Sequence, residues 1–257
     1  MGHGFGWTVL RRAGAALVLA ALALPPCLAQ GLTVAADSSL AGAMQAVARG
    51  FEASHPGARV SLLSGASGAL LERIAQGAPV DVLASADAQT VREGVQRHLL
   101  RAEAGSAFAL NALVLVVPAK SNGVVQRLSD LARPEVLRVA MGRESSVAAG
   151  RSAREAINAQ RLWPAMQRKL VLADDAQQVL ALVANADVEA GFVYATDVSG
   201  AAVPVRVVET LATTTPIRHL AHVVSASEHP ALAGEFVAYL RSEPARAVFR
   251  RLGFGLP

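Results

Sequence analysis

Short apolar, β-prone runs alternate with segments of helical spacing from residue 32 to residue 252, and this alternation constrains the fold more than any other feature. Leu32-Thr-Val-Ala-Ala36 reads as a strand; Leu40, Ala43, Met44, Val47, Ala48 and Phe51 then follow at helical spacing, stopping near His55-Pro-Gly57. The cycle repeats as strand 58–63, helix 67–76, strand 80–84 and helix 88–97. After a β-prone stretch comes the buried-type strand Leu113-Val-Leu-Val-Val-Pro118, and the alternation restarts. Strand 136–140, helix 149–160, strand 169–172, helix 177–184 and strands 191–194, 203–208 and 220–224 are expected next, with helices 231–240 and 244–252 closing the chain. Strands apolar along their whole length leave no face for water, so the pattern predicts parallel sheets with helices on both faces. Two α/β lobes joined by strand-like crossings are the natural assembly; one continuous Rossmann-like sheet is the alternative.

The first residues stand outside this pattern. Arg11 and Arg12 precede an unbroken apolar stretch, Ala13 to Leu24, which runs into Pro25, Pro26 and Cys27-Leu-Ala29. A basic start, a short apolar centre and a small residue before the cut describe a secretory signal over residues 1–29, cleaved after Ala29. The apolar run falls short of the ~20 residues that span a bilayer. An uncleaved anchor, or a lipid anchor on Cys27, are the other readings, and the prolines before Cys27 suit lipidation poorly. The signal around the paired arginines is weak for twin-arginine export.

Removing the leader changes the charge. The chain carries +4 overall, but without residues 1–29 it holds 22 basic and 20 acidic residues, a net +2. Its Lys and Arg are scattered without a basic run, which argues against nucleic acid as a partner. It also loses its only cysteine, which suits an oxidising compartment and leaves nothing for a disulfide, a zinc ribbon or a redox pair.

Function concentrates in the strand-to-helix turns, because ligands of open α/β sheets bind at the carboxyl ends of strands. Four such turns carry small or hydroxylic residues: Ala35-Ala-Asp-Ser-Ser39, Ser64-Gly-Ala-Ser-Gly68, Ser145-Ser-Val-Ala-Ala-Gly150 and Ala173-Asp-Asp-Ala176. Converging helix starts make an anion site from amide dipoles alone. Singly, each turn reads equally well as an ordinary N-cap.

These turns resemble those of the molybdate-binding proteins of bacterial ABC importers, receptors of the two-lobed type II periplasmic class. The similar segments are Val34-Ala-Ala-Asp-Ser-Ser-Leu-Ala-Gly-Ala-Met44, Ser64-Gly-Ala-Ser-Gly-Ala-Leu70, Gly77-Ala-Pro-Val-Asp-Val-Leu-Ala-Ser-Ala-Asp87, Ala181-Leu-Val183 with Gly191-Phe-Val-Tyr194, and Phe249-Arg-Arg-Leu-Gly-Phe254. The resemblance implies lobe 1 over residues 30–111 and 217–257 and lobe 2 over 112–216, each a mainly parallel sheet flanked by helices, with two hinge crossings. It implies an oxyanion pocket at Ser39, Ser67, Ala149, Ala176 and Tyr194. Ser39 and Ser67 would each give a hydroxyl and an amide, Ala149 and Ala176 an amide, and Tyr194 its phenol. A shell of donors with no acceptor suits a dianion that carries no proton. It implies a monomeric periplasmic receptor for molybdate or tungstate that docks on a membrane permease, with no cofactor, no catalysis and no protein-bound metal. Another anion (sulfate, phosphate or an organic acid) is the alternative ligand.

Four residues depart from the family pattern. Asp37 stands where small or neutral residues are common: it either caps the helix that follows or faces the cleft, where it would repel a dianion or accept a proton from hydrogen phosphate. Capping is the simpler expectation. Ala148 replaces a frequent proline, and Ser152 and His219 replace frequent aromatics; His219 reads as a hinge filler, a pH-sensitive gate or an exposed histidine, and exposure is the simplest expectation. A serine hydrolase using Ser67 is the enzyme alternative, but Gly65-Ala-Ser-Gly-Ala69 lacks the second glycine of a nucleophile elbow. His219 and His222 on one strand would point to opposite faces, a poor chelate.

Overall fold

The computed structural model describes residues 1–3, 30–102, 107–200 and 204–257, so nearly all of the expected leader, with Cys27, lies outside the described residues. The chain forms β1 (Gln30–Asp37), α1 (Ala41–Ser54), β2 (Ala58–Gly65), α2 (Ser67–Ala75), β3 (Val82–Ser85), α3 (Ala88–Gln96) and β4 (Ala109–Asn111). It crosses through Ala112 into β5 (Leu113–Pro118), β6 (Val139–Gly142), α4 (Ala148–Ala159), α5 (Trp163–Met166), β7 (Leu170–Ala173), α6 (Ala176–Ala184), β8 (Ala190–Tyr194), α7 (Ala195–Gly200) and β9 (Val205–Leu211). A second crossing leads to β10 (Ile217–Val223), α8 (Pro230–Tyr239) and α9 (Glu243–Arg251).

Two five-stranded sheets result, ordered β2-β1-β3-β10-β4 and β7-β6-β8-β5-β9. In the first, only β10 runs against the other strands; in the second, only β5 does. The single continuous sheet is thereby excluded, and the two-lobed, mainly parallel architecture stands. Side chains alternate as a doubly covered sheet requires. Leu32, Val34 and Ala36 of β1 pack under α1, α8 and α9, while Ala35 faces α2. Likewise Leu113, Leu115 and Val117 of β5 join one core, and Val114 and Val116 the core on the opposite face. Among the described residues, no helix is long and apolar enough to cross a membrane.

Local chemistry fixes where the elements stop and start. Helix α1 ends at His55, where Pro56 cannot continue it and Gly57 takes a φ of 95°. Gly150 lets α4 start hard against β6, since a Cβ there would lie 2.1 Å from the Gly142 carbonyl oxygen. Strand β6 begins three residues later than residue 136, because the amides of Leu137 and Arg138 are held by the Glu189 carboxylate, at 3.0 and 2.6 Å, rather than by a strand.

Candidate functional site

The carboxyl end of β1 delivers Asp37 beside the starts of two helical segments. A short 3-10 turn, Ser38–Leu40, follows at once, and Asp37 caps it: Oδ1 accepts from the Ser39 amide at 3.1 Å and from the Ser39 hydroxyl at 2.8 Å. The register of β1 and β2 sets Asp37 opposite Gly65, which brings the start of α2 within reach. Oδ2 therefore accepts from the Ser67 amide at 3.0 Å and the Ser67 hydroxyl at 2.5 Å. Ser67 Oγ itself accepts from the Ala86 amide at 3.0 Å, which ties the group to the end of β3. Asp37 is thus a cap, as the simpler expectation has it, and its second oxygen also reaches the start of α2.

Asp37, Ser39 and Ser67 are buried. Burial pushes the Asp37 carboxyl above its ordinary range, and the bonds from Ser67 and Ser39 pull the other way. No cation contributes to this balance. Four bonds fill the lone-pair sites of a carboxylate, so Asp37 has no acceptor capacity left.

The second sheet presents three further residues. Ala149 is the second residue of α4 and Ala176 the first of α6; both are buried, and no hydrogen bond among the described residues uses either amide. Ala149 belongs to one apolar cluster with Ala66 and Ala86 of the first lobe, so the start of α4 meets the starts of α2 and α3. Gln177, next to Ala176, lines a groove of about 360 Å³ together with Ser38 and Ser39. Tyr194 ends β8 with its hydroxyl buried and unpartnered. Burial raises the phenol's pKa well above its ordinary value; the nearby Ser152 hydroxyl opposes this, and the charges of Asp37, Asp87 and Asp197 add to it. All five residues carried over from the family resemblance therefore lie where the two lobes meet.

The surroundings contain groups the sequence did not reveal. Asp197 accepts from the Tyr194 amide at 2.9 Å and leaves its other oxygen unpartnered. Burial, opposed by that amide and reinforced by the charges of Asp37 and Asp175, raises its pKa to about 7. Arg151 of α4 reaches the first lobe, pairing with Asp87 and donating to the Thr90 hydroxyl at 2.9 Å. Asp87 is at the same time the N-cap of α3. A broader groove of about 820 Å³ lies beside this pair, lined by Arg92, Glu144, Arg154 and Arg218 among others. No sequence spacing links Arg151 to a partner 64 residues away, and only the packed lobes bring them together.

The expectation of an exposed His219 is overturned: it is fully buried at the crossing between the lobes. Asn111 donates from one Nδ2 to the Thr196 hydroxyl at 2.8 Å and to His219 Nε2 at 3.2 Å, while its Oδ1 accepts from the Ala112 amide. Nε2 is then the acceptor and Nδ1 carries the proton, unpartnered. Burial lowers the His219 pKa to about 3, so the ring is neutral. His222 bonds separately to the Arg101 carbonyl, as opposite strand faces require. The Ser67 hydroxyl points at a carboxylate, not at the histidine base that an activated nucleophile needs. Among the described residues no group of three His, Cys, Asp or Glu could hold a metal ion.

Comparison with known proteins agrees with this architecture. Residues 32–255 match the family model described as bacterial extracellular solute-binding protein. A Bacillus subtilis protein named as an ABC transporter substrate-binding lipoprotein is 33% identical over 224 residues, covering 87% of this chain and 85% of the relative. The molybdate-binding protein ModA of Haemophilus influenzae is 28% identical over 258 residues, covering 95% and 98%. The fold is also that of the sulfate-binding protein SubI of Mycobacterium tuberculosis, at a TM-score of 0.74 and 18% identity over 87% of this chain and 86% of that one. The chain belongs to the bacterial extracellular solute-binding protein family.

Proposed function

We propose that this protein captures a tetrahedral oxyanion, molybdate or tungstate, between its lobes and delivers it to the permease of an ABC importer. One observation carries the reading: two amides and two hydroxyls from Ser39 and Ser67 converge on the two oxygens of a single anionic group. A place built of neutral donors is fitted to negative oxygen, and charge-assisted bonds are the stronger kind. The amides of Ala149 and Ala176 and the hydroxyl of Tyr194 supply the second lobe's share. Helix starts add positive potential without a formal charge that would have to be desolvated.

The lobes are taken as residues 30–111 with 217–257, and residues 112–216, a division supported by the membership of the two sheets. A ligand touching donors on both favours the state in which they meet, and only that differential contact can shift the equilibrium. The leader over residues 1–29 would place the receptor, as a monomer, in the periplasm, where the permease can receive it. Ser39→Ala and Ser67→Ala are each expected to weaken molybdate binding at least about tenfold, near 1.4 kcal/mol. Calorimetric titration measures this, and unchanged curves for both folded variants would remove these residues from the pocket.

A further inference from the structure

The donors that Ser39 and Ser67 offer are already engaged, and the group that engages them belongs to the chain. Asp37 holds all four, two on each carboxylate oxygen, in a buried position with no compensating cation. An oxyanion bound at Ser39 and Ser67 would need the same amides and hydroxyls. It would also bring negative charge against a carboxylate shielded from water, where repulsion is strong. Because Asp37 has no lone pair to spare, it cannot sit beside the ligand unchanged and accept a proton from it.

We propose that Asp37 is a resident competitor for the oxyanion seat, and that an incoming anion displaces it from Ser39 and Ser67 only as Asp37 takes up a proton, which couples anion capture to proton uptake. This rests on the oxyanion reading above and adds a residue that tunes it. The proton comes from solvent, forms an O–H bond on one Asp37 oxygen, and returns to solvent when the anion leaves. While protonated, Asp37 changes from acceptor to donor and adds one more hydrogen bond to an oxyanion that carries no proton of its own. Ligands are thereby selected for full deprotonation and strong acceptor oxygens.

Other titratable groups face this place. The charge of Asp37 bears on Asp197 at the start of α7 and on the Tyr194 hydroxyl at the end of β8. Asp87 at the start of α3 is paired with Arg151, and His219 on β10 is neutral. None of these donates to Asp37. Asp37→Ala leaves every one of them in place but relieves Asp197 and Tyr194 of the Asp37 charge, so the comparison reads the drop in proton uptake and not its absolute value.

The test is calorimetric titration of the wild type, Asp37→Ala and the isosteric Asp37→Asn with molybdate and with inorganic phosphate, at about pH 6 and about pH 8, in two buffers of different ionisation enthalpy. Thermal melts establish that each variant is folded. For the wild type, molybdate affinity is expected to rise toward acid by up to about tenfold per pH unit, with nearly one proton taken up per anion at the higher pH. For Asp37→Ala the slope and the proton uptake fall to the smaller part that Asp197 supplies, and binding at about pH 8 is tighter than in the wild type. Wild-type binding without proton uptake, or an Asp37→Ala variant that binds molybdate no better at about pH 8, overturns the proposal while leaving the oxyanion reading intact. Phosphate binding that Asp37→Ala abolishes overturns it too, since Asp37 would then be an acceptor for a protonated ligand. If neither anion binds any of the proteins, the oxyanion reading falls and this proposal with it.

Discussion

At the scale of single residues, the cleft is controlled by polar groups that burial has forced into unusual states. Four donors surround the buried Asp37 carboxyl and oppose the rise that burial imposes on its pKa, and the His219 ring is neutral because burial outweighs the charge of Asp87. The second case makes a stability prediction. With its pKa held near 3, folded His219 remains unprotonated at pH values where the unfolded chain, with an ordinary value of 6.5, binds a proton. Acid therefore favours the unfolded state, and the stability His219 contributes is complete above about pH 6.5 and lost as pH falls toward 3. At about 1.4 kcal/mol per unit of displacement, the loss is of the order of a few kcal/mol. His219→Gln keeps an acceptor for Asn111 and removes the titration. Urea unfolding between about pH 3 and 7 is expected to show a flatter acid limb for the variant; identical acid limbs would contradict a buried, neutral His219. Asp197 acts in the opposite sense: its raised pKa of about 7 lowers stability as pH climbs from about 4 to that value, and it does so in both proteins.

At the scale of elements, the sequence reads well where periodicity has length to show itself. The nine-residue helix α2, the twelve-residue helix α4 and the apolar runs of β1 and β5 stand within a residue or two of their expected bounds. The four-residue helix α5, the short helix α7 and the three-residue strand β4 are too short to carry a period, and tertiary packing decides them. Ser39 and Ser67 were legible through the turns that carry them and the family those turns resemble. The reach of Asp37 across 30 residues to Ser67 was not legible, because it depends on the pairing register of β1 with β2. Gly68 is a sharper case: its meaning depends on the other lobe. Its amide donates to the Ser146 carbonyl at 2.9 Å, and a Cβ there would lie 2.9 Å from both Ser146 Cα and that oxygen. Gly68→Ala is expected to leave the ligand-free protein as stable or slightly more so, since alanine favours a helix by up to about 1 kcal/mol. It is expected to weaken oxyanion binding about tenfold or more by holding the lobes apart. Thermal melts and titration read the two effects separately, and unaltered affinity would mean that this approach is not part of capture.

At the scale of the whole molecule, two sheets of the same strand pattern meet along a seam held by few direct ties. Gly68 with Ser146, and Arg151 with Asp87 and Thr90, join the lobes across the cleft, while Asn111, Thr196 and His219 hold the crossing. In the proposed account so sparse a seam would let the lobes part and rejoin, and an oxyanion accepting from donors on both lobes would bias them toward contact. The chemistry proposed for the ligand follows from the proposed shell, in which backbone amides and hydroxyls replace charged side chains. The most direct measurement is calorimetric titration of residues 30–257, free of ligand, with molybdate, tungstate, sulfate and phosphate. Saturable one-to-one binding of molybdate and tungstate, micromolar or tighter and stronger than that of sulfate and phosphate, is the expected result. Heat from none of the four would contradict oxyanion capture at this site.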